Sequence, residues 1–312
     1  MALEDVIVWE KPVEGCLDYN EEVPASGKAM SYPDGSPTGM TMTANDTTHR
    51  FDAATALTPT GDGMYTGSTH AGYGNMVGPF GGVIAAALLG AIMQHSQRLG
   101  DPLSLTVHFA APIADGGYTV EAKAVRTNRT TQHWYVTLVQ EGQVAAFATA
   151  VTAVRRDTWQ TLDAVFPAAP PFDTVAPMPA IARVAWTGSY EMRFVDGLPG
   201  APESASDSSE SLLWMRDQPP RPLDFLSLAA LCDAFFPRIF VRRPKWVPIG
   251  TVALTTYFHA DAAQLAAQGS APVLGRARAL NFRQGFFDQT AEMWSAAGDL
   301  LATTHQVVYF KE

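Results

Sequence analysis

Cysteine is nearly absent from this chain. Cys16 and Cys232 are the only two in 312 residues. Two thiols cannot build a disulfide framework or a zinc site of cysteine pairs, and they fit a reducing cytoplasm. Basic residues are in deficit as well: 21 Lys and Arg stand against 31 Asp and Glu, for a net charge of −10. That balance argues against a general nucleic-acid binder while leaving room for a local basic patch. Long apolar runs are missing. The longest, Phe80 to Met93, has 14 residues, and a membrane span needs ~20. Met1-Ala2-Leu3-Glu4-Asp5 lacks the basic and apolar regions of a signal peptide. The expectation is a soluble, cytoplasmic protein. There is no Gly-x-Ser-x-Gly elbow and no Gly-x-x-x-x-Gly-Lys-Ser/Thr, which sets aside a standard serine hydrolase and an ordinary P-loop. Gly72-Tyr73-Gly74-Asn75-Met76-Val77-Gly78 is one residue too long for a dinucleotide fingerprint. The seven histidines are scattered and give metal catalysis no support.

Apolar material is plentiful, at 47% of residues, enough for a sizeable core. Residues 1–48 stand apart, crowded with Gly, Pro, Ser, Thr and acids, and read as a flexible N-terminal extension. From Phe51 onward the pattern becomes periodic. Phe80, Val83, Ile84, Ala87, Leu88, Ala91 and Ile92 recur at helical spacing, with Gly and Ala filling most other positions. A helix apolar on every side is a buried helix. Alternating runs follow near 103–109, 120–125, 133–140 and 144–154 and predict strands. Five prolines between Pro167 and Pro179 mark 156–186 as a linker. The order then repeats. A strand at Tyr190–Phe194 and another at Leu212–Met215 precede a second helix, Leu223 to Phe240, and strands near 249–259, 272–282, 284–294 and 299–310. Gly142–Val151 matches Gly298–Val307, and Val107–Ala110 matches Thr256–His259, in the same order. The expected architecture is α+β, with helix-plus-meander domains at 49–155 and 187–312.

Three polar residues fall in apolar places. Asp233, in Leu231-Cys232-Asp233-Ala234-Phe235-Phe236, has Leu226, Ala229, Ala230, Phe236 and Pro237 as its helical neighbours. A carboxylate there is costly unless hydrogen-bonded or given a task. A structural aspartate tied to Arg238 and a catalytic one are both open on the residues alone. Gln306 alternates with Leu300, Ala302, Thr304, Val308 and Phe310 and faces the apolar side of the last strand, as a core amide or a site residue. Thr251 opens a strand in which Thr255 and Thr256 are rivals. A carboxylate, an amide and a hydroxyl together can hold and activate one water.

This set of residues, on a doubled helix and meander, resembles the acyl-CoA thioesterase II type of double hot-dog proteins. Phe80-Gly81-Gly82 matches the Phe-Gly-Gly before that family's first helix. Asp233 matches its catalytic aspartate. Thr251, eight residues before His259 in Phe258-His259, matches its threonine, and Gln306, in Ala302-Thr303-Thr304-His305-Gln306, its glutamine. There are departures. Asp233 and Thr251 lie closer together than is usual, and Ala260-Asp261 replaces an arginine-proline pair. The resemblance implies two antiparallel sheets, each wrapping a central helix and joined into one continuous sheet. It implies an acyl-CoA substrate, no cofactor and assembly into homo-oligomers. Asp233 would activate water, with Thr251 and Gln306 positioning it. A backbone N–H near Gly81-Gly82 would polarise the thioester carbonyl. Coenzyme A carries phosphates, and Arg242, Arg243 and Lys245 form the densest basic cluster to meet them. A non-catalytic acyl-CoA binding protein on the same fold is the alternative. A hot-dog dehydratase is less well matched, because His70 and His95 are not paired with an acid near a helix start.

Overall fold

The computed structural model describes residues 48–199, 206–243 and 245–312. The expected N-terminal extension lies outside the described residues, apart from residue 48. Strands are Thr58–Gly61 (β1), Met64–Ser68 (β2), Asp101–Phe109 (β3), Gly117–Thr127 (β4), Thr131–Gln140 (β5), Gln143–Ala153 (β6), Tyr190–Asp196 (β7), Ser211–Asp217 (β8), Ile249–Phe258 (β9), Val273–Arg278 (β10), Phe282–Arg283 (β11), Phe286–Trp294 (β12) and Leu300–Phe310 (β13). Helices are Arg50–Thr55 (α1), Gly81–Met93 (α2), Phe225–Leu231 (α3), Arg238–Arg242 (α4) and Ala262–Gln268 (α5).

All the strands form one antiparallel sheet, ordered β1-β2-β4-β5-β6-β3-β9-β13-β12-β10-β8-β7, with β11 paired to β12. The order reads alike from either end: a short outer pair, a meander, then one strand at the centre. The halves meet where β3 pairs with β9, and Thr106 Oγ1 lies 3.0 Å from Thr255 Oγ1 across that seam. The two matched sequence segments fall on β6 and β13 and on β3 and β9, the four central strands. One α+β sheet, with a helix from each half packed on it, is the double hot-dog arrangement.

The run Gly81–Met93 becomes a helix because Ala and Leu favour it, and it is buried because it has no polar face. Every residue from Gly82 to Ile92 is buried. It packs beside α3. A Cβ on Gly82 would lie 2.5 Å from Ala230 O, and one on Gly90 would lie 3.4 Å from Leu226. The start of α2 therefore meets the end of α3, and the helices run antiparallel. Glycine permits the close approach at Gly82.

The proline-rich segment lies on the second half of the sheet. Pro170 O accepts from Trp214 Nε1 at 2.9 Å, and Phe166 meets Trp294 edge-on. Arg193 donates to Phe172 O and Val175 O and lies 4.0 Å over the Phe172 ring. Helix α5 fills the stretch between the predicted strands 249–259 and 272–282, where the sequence pattern predicts no element. Asp261 caps it through a reciprocal capping box with Gln264, so the residue that departs from the expected arginine-proline pair has a structural use. Among the described residues no helix is long and apolar enough to cross a membrane.

Candidate active site

The predicted second helix, Leu223 to Phe240, is broken, and Asp233 lies in the break rather than in a helix. α3 ends at Leu231 and α4 begins at Arg238. Pro237 explains the gap, since it has no N–H to continue the ladder and disfavours helical geometry at Phe236. Tight turns close the end of α3, with Asp233 N donating to Ala230 O and Ala234 N to Leu231 O. Arg238 does not pair with Asp233. Its buried guanidinium donates to Phe236 O, Ser209 O, Ser211 Oγ and Gln289 Oε1, and so ties the turn to β8 and β12. Arg238→Met would leave these acceptors unpartnered. Urea unfolding should show a loss of about 1–3 kcal/mol.

The turn aims Asp233 at the first residues of α2. Asp233 is only 9% exposed. Its Oδ1 accepts from Gln306 Nε2 at 2.8 Å. Its Oδ2 faces Gly81, where a Cβ would come within 2.7 Å of it and 3.2 Å of the Phe109 ring. Burial pushes the carboxyl up to about 7, against the Gln306 amide and the Gly82 N–H, which favour its charged form. The positive end of the α2 dipole acts in the same direction as those donors.

Gln306 comes from β13, where Ala302, Thr304, Gln306 and Val308 are buried and His305 and Val307 are exposed. Thr251 arrives by a less regular route. Gln306 pairs with Leu254 and Val307 with Ala253, but Val308 pairs with Thr251, so Val252 is an extra residue. Plain alternation from Leu254 would turn Thr251 outward. The bulge at Val252 returns it to the inner face, and Val252 itself is exposed. Thr251 Oγ1 then donates to Gln306 Oε1 at 3.4 Å. The three side chains form a line, Thr251 to Gln306 to Asp233, in which the threonine meets the amide and not the carboxylate. The rival threonines are occupied elsewhere: Thr255 faces Thr106, and buried Thr256 serves the Cys232 thiol.

Phe80 stacks on Trp186 with ring centroids 4.5 Å apart, and Trp186 in turn meets Phe236, three residues past Asp233. Phe109 and Trp186 are the neighbours that sequence reading missed. Phe109 was seen only as a strand residue, and Trp186 lies at the end of the supposed linker. The expected basic cluster divides. Arg242 and Arg243 line a cleft of about 590 Å³ with Arg283, whereas Lys245 is exposed and not in its lining. Among the described residues no three His, Cys, Asp or Glu side chains gather as a metal site would require.

Comparison with known proteins bears on this geometry. A family model described as the acyl-CoA thioesterase N-terminal domain matches residues 70–153, and one described as the C-terminal domain matches 166–310. A conserved protein of unknown function with a hot dog fold, from Alicyclobacillus acidocaldarius, is 48% identical over 85% of this chain and 99% of its own, with a TM-score of 0.81. An acyl-CoA thioesterase II from Mycobacterium marinum is 18% identical over 84% of this chain and 98% of its own, with a TM-score of 0.66. The tesB protein of Mycobacterium avium subs paratuberculosis is likewise 18% identical, over 85% and 100%, with a TM-score of 0.68. No curated protein matches the sequence. Both thioesterase models fall in order on the two halves of one sheet, and the 48% identical relative shares that sheet over nearly its whole length. By sequence and by fold, the chain belongs to the acyl-CoA thioesterase family of hot-dog proteins.

Proposed function

We propose that this protein hydrolyses acyl-CoA thioesters to a carboxylic acid and coenzyme A. One observation carries the reading: a buried carboxylate, held through one oxygen by an amide, presents its other oxygen at a helix start that has no side chain. Asp233 is the general base. Gln306 fixes its Oδ1, and Thr251 fixes Gln306. A water held by Oδ2 loses a proton to the carboxylate as its oxygen attacks the thioester carbonyl. The electron pair moves to the carbonyl oxygen, which meets the Gly81 N–H. That amide is the first of α2 and has no partner inside the helix. The tetrahedral intermediate collapses, the C–S bond breaks, and the thiolate takes the proton from Asp233. An ordinary thiol titrates near ~8.5, so the transfer from a carboxyl at about 7 is favourable. The two halves, 49–155 and 187–312 with 156–186 between them, supply the glycines and the catalytic side chains respectively. Homo-oligomer assembly belongs to the same reading, and the exposed Tyr257 and Val307 are side chains that it would cover.

The test is release of free thiol from acyl-CoA esters of short, long and aromatic chains. The base must be ionised, so kcat/KM should rise with pH to a plateau, with its midpoint near 7. Gln306→Ala removes a donor that favours the charged form and should move that midpoint upward, besides slowing turnover. A pH profile that is flat from 5 to 8 would exclude Asp233 as the base. Binding of acyl-CoA without turnover would favour the non-catalytic alternative.

A further inference from the structure

The cleft that holds Arg242 and Arg243 is built in a way the sequence did not reveal. Its lining combines three guanidinium groups, of Arg242, Arg243 and Arg283, with an apolar floor of Ile239, Phe282 and Phe310, and one acid, Glu312. Its volume, about 590 Å³, is within the usual range for a small-molecule site. Three cations against one carboxylate make a positive spot on a chain of net charge −10.

The groups are well supported. Ile239 and Arg242 are at i and i+3 on α4 and share a face, and Arg243 follows as the extended C-cap, its N–H donating to Ile239 O at 2.8 Å. Arg283 comes from the far wall. It ends β11, which turns into β12 through Gln284 and Gly285, both at positive φ (52° and 77°), as a two-residue hairpin requires. Gly285 O accepts from Phe310 N at 2.7 Å, which fixes the hairpin to the end of β13. Ile239, Phe282 and Phe310 also belong to the apolar cluster that contains Val308, the partner of Thr251 across the sheet. The cleft and the candidate catalytic line therefore share one strand, β13.

We infer that this cleft receives the nucleotide end of coenzyme A, with its phosphates on Arg242, Arg243 and Arg283 and its base against Phe282 and Phe310. The inference rests on reading the substrate as a coenzyme A thioester. Arginine suits the task because its planar fork binds phosphate oxygens in pairs. Arg283 takes the place that the sequence gave to Lys245. Two of the guanidiniums already have partners. Arg242 donates to Ser206 O and lies 3.9 Å from the fully exposed Asp207 carboxylate, and Arg243 pairs with Glu312. The carbonyl and the loose, solvent-screened Asp207 contact are compatible with an added phosphate. The Glu312 carboxylate is not, and it competes with the ligand for Arg243.

The experiment is calorimetric titration of coenzyme A into the full chain, which needs no turnover. Arg283→Ala alters an exposed side chain and should weaken binding by about tenfold. Glu312→Gln should tighten it severalfold by freeing Arg243. Opposite signs from two surface variants cannot come from a general loss of folding. Both effects should shrink at high salt. Equal affinities of wild type, Arg283→Ala and Glu312→Gln would overturn the inference, as would absence of binding to the wild type at millimolar coenzyme A. Inorganic phosphate displacing coenzyme A at equal concentration would overturn it too, by showing a simple anion site. A chain that binds in this way without hydrolysing thioesters would support the cleft and refute the hydrolase reading. A chain that hydrolyses them while both variants bind like wild type would do the reverse.

Discussion

Asp233→Asn should abolish turnover and make the protein more stable. An amide cannot take a proton from water, so thiol release should fall by ~10²–10⁴-fold, the usual worth of a general base. The stability gain follows from the same burial. A carboxyl raised from 3.8 to about 7 in the fold loses on the order of 4 kcal/mol of folding stability once it is ionised. Below about pH 4 both states are protonated and the group costs nothing. As pH rises the unfolded chain ionises first, so stability falls until the folded carboxyl ionises near 7. Asparagine keeps an acceptor for the Gln306 amide and never ionises. At pH 8 the variant should be roughly 1–4 kcal/mol more stable, and the gap should narrow toward pH 5. Asp217, buried beneath the Ser227 hydroxyl and raised to about 6, has the same sign of pH dependence but is present in both proteins. The measurement is denaturant unfolding of both proteins at pH 5 and pH 8, beside the thiol assay. A variant that is inactive and also less stable at both pH values would mean that Asp233 serves the fold.

How far this could be read from the sequence depended on whether a regular pattern carried the information. The buried α2 was legible because its apolar residues leave no polar face. The doubled sheet was legible because strands alternate and the order recurs. Gln306 was legible by the same alternation, its side chain falling among Ala302, Thr304 and Val308. Irregular features were not legible. The break between α3 and α4 is an effect of Pro237 on the residues before it, and the period of apolar residues runs straight through it. The bulge at Val252 adds one residue to β9, which alternation cannot register, yet it is what turns Thr251 inward. Arg283 had no signal at all. It is a lone basic residue in a hairpin, and only the pairing of β11 with β12 brings it opposite α4. Lys245 follows the end of α4 and is outside the cleft lining, so proximity in sequence to Arg242 and Arg243 did not carry it into the cleft.

The two glycines that open α2 should respond oppositely to alanine. At Gly82 the new Cβ would lie 2.5 Å from Ala230 O and 2.4 Å from the Phe80 ring. Ala230 O is backbone, and it accepts from the Asp233 N–H, so it cannot yield without moving α3 and the turn that carries the carboxylate. Overpacking of that kind costs about 1–3 kcal/mol, occasionally more. Gly82→Ala should therefore lower the melting temperature and lose activity together. At Gly81 the nearest atom is Asp233 Oδ2, at 2.7 Å, followed by the Phe109 ring, at 3.2 Å. Both are side chains, which yield by a few tenths of an ångström more readily than the backbone that Gly82 meets. Alanine is also the better helix former, by ~1 kcal/mol, which offsets the crowding. Gly81→Ala should keep its melting temperature within a few degrees and still lose at least ~10²-fold in turnover, because the methyl group occupies the space between the base and the helix start where water and carbonyl must meet. Thermal melts and thiol release on both variants decide the matter. Wild-type turnover in Gly81→Ala would mean that Oδ2 does not face the substrate, and the base would have to work through another approach or be another residue. Loss of activity at Gly81 with the fold intact, beside loss of the fold at Gly82, would place the reacting atoms in the gap between Asp233 and the first turn of α2.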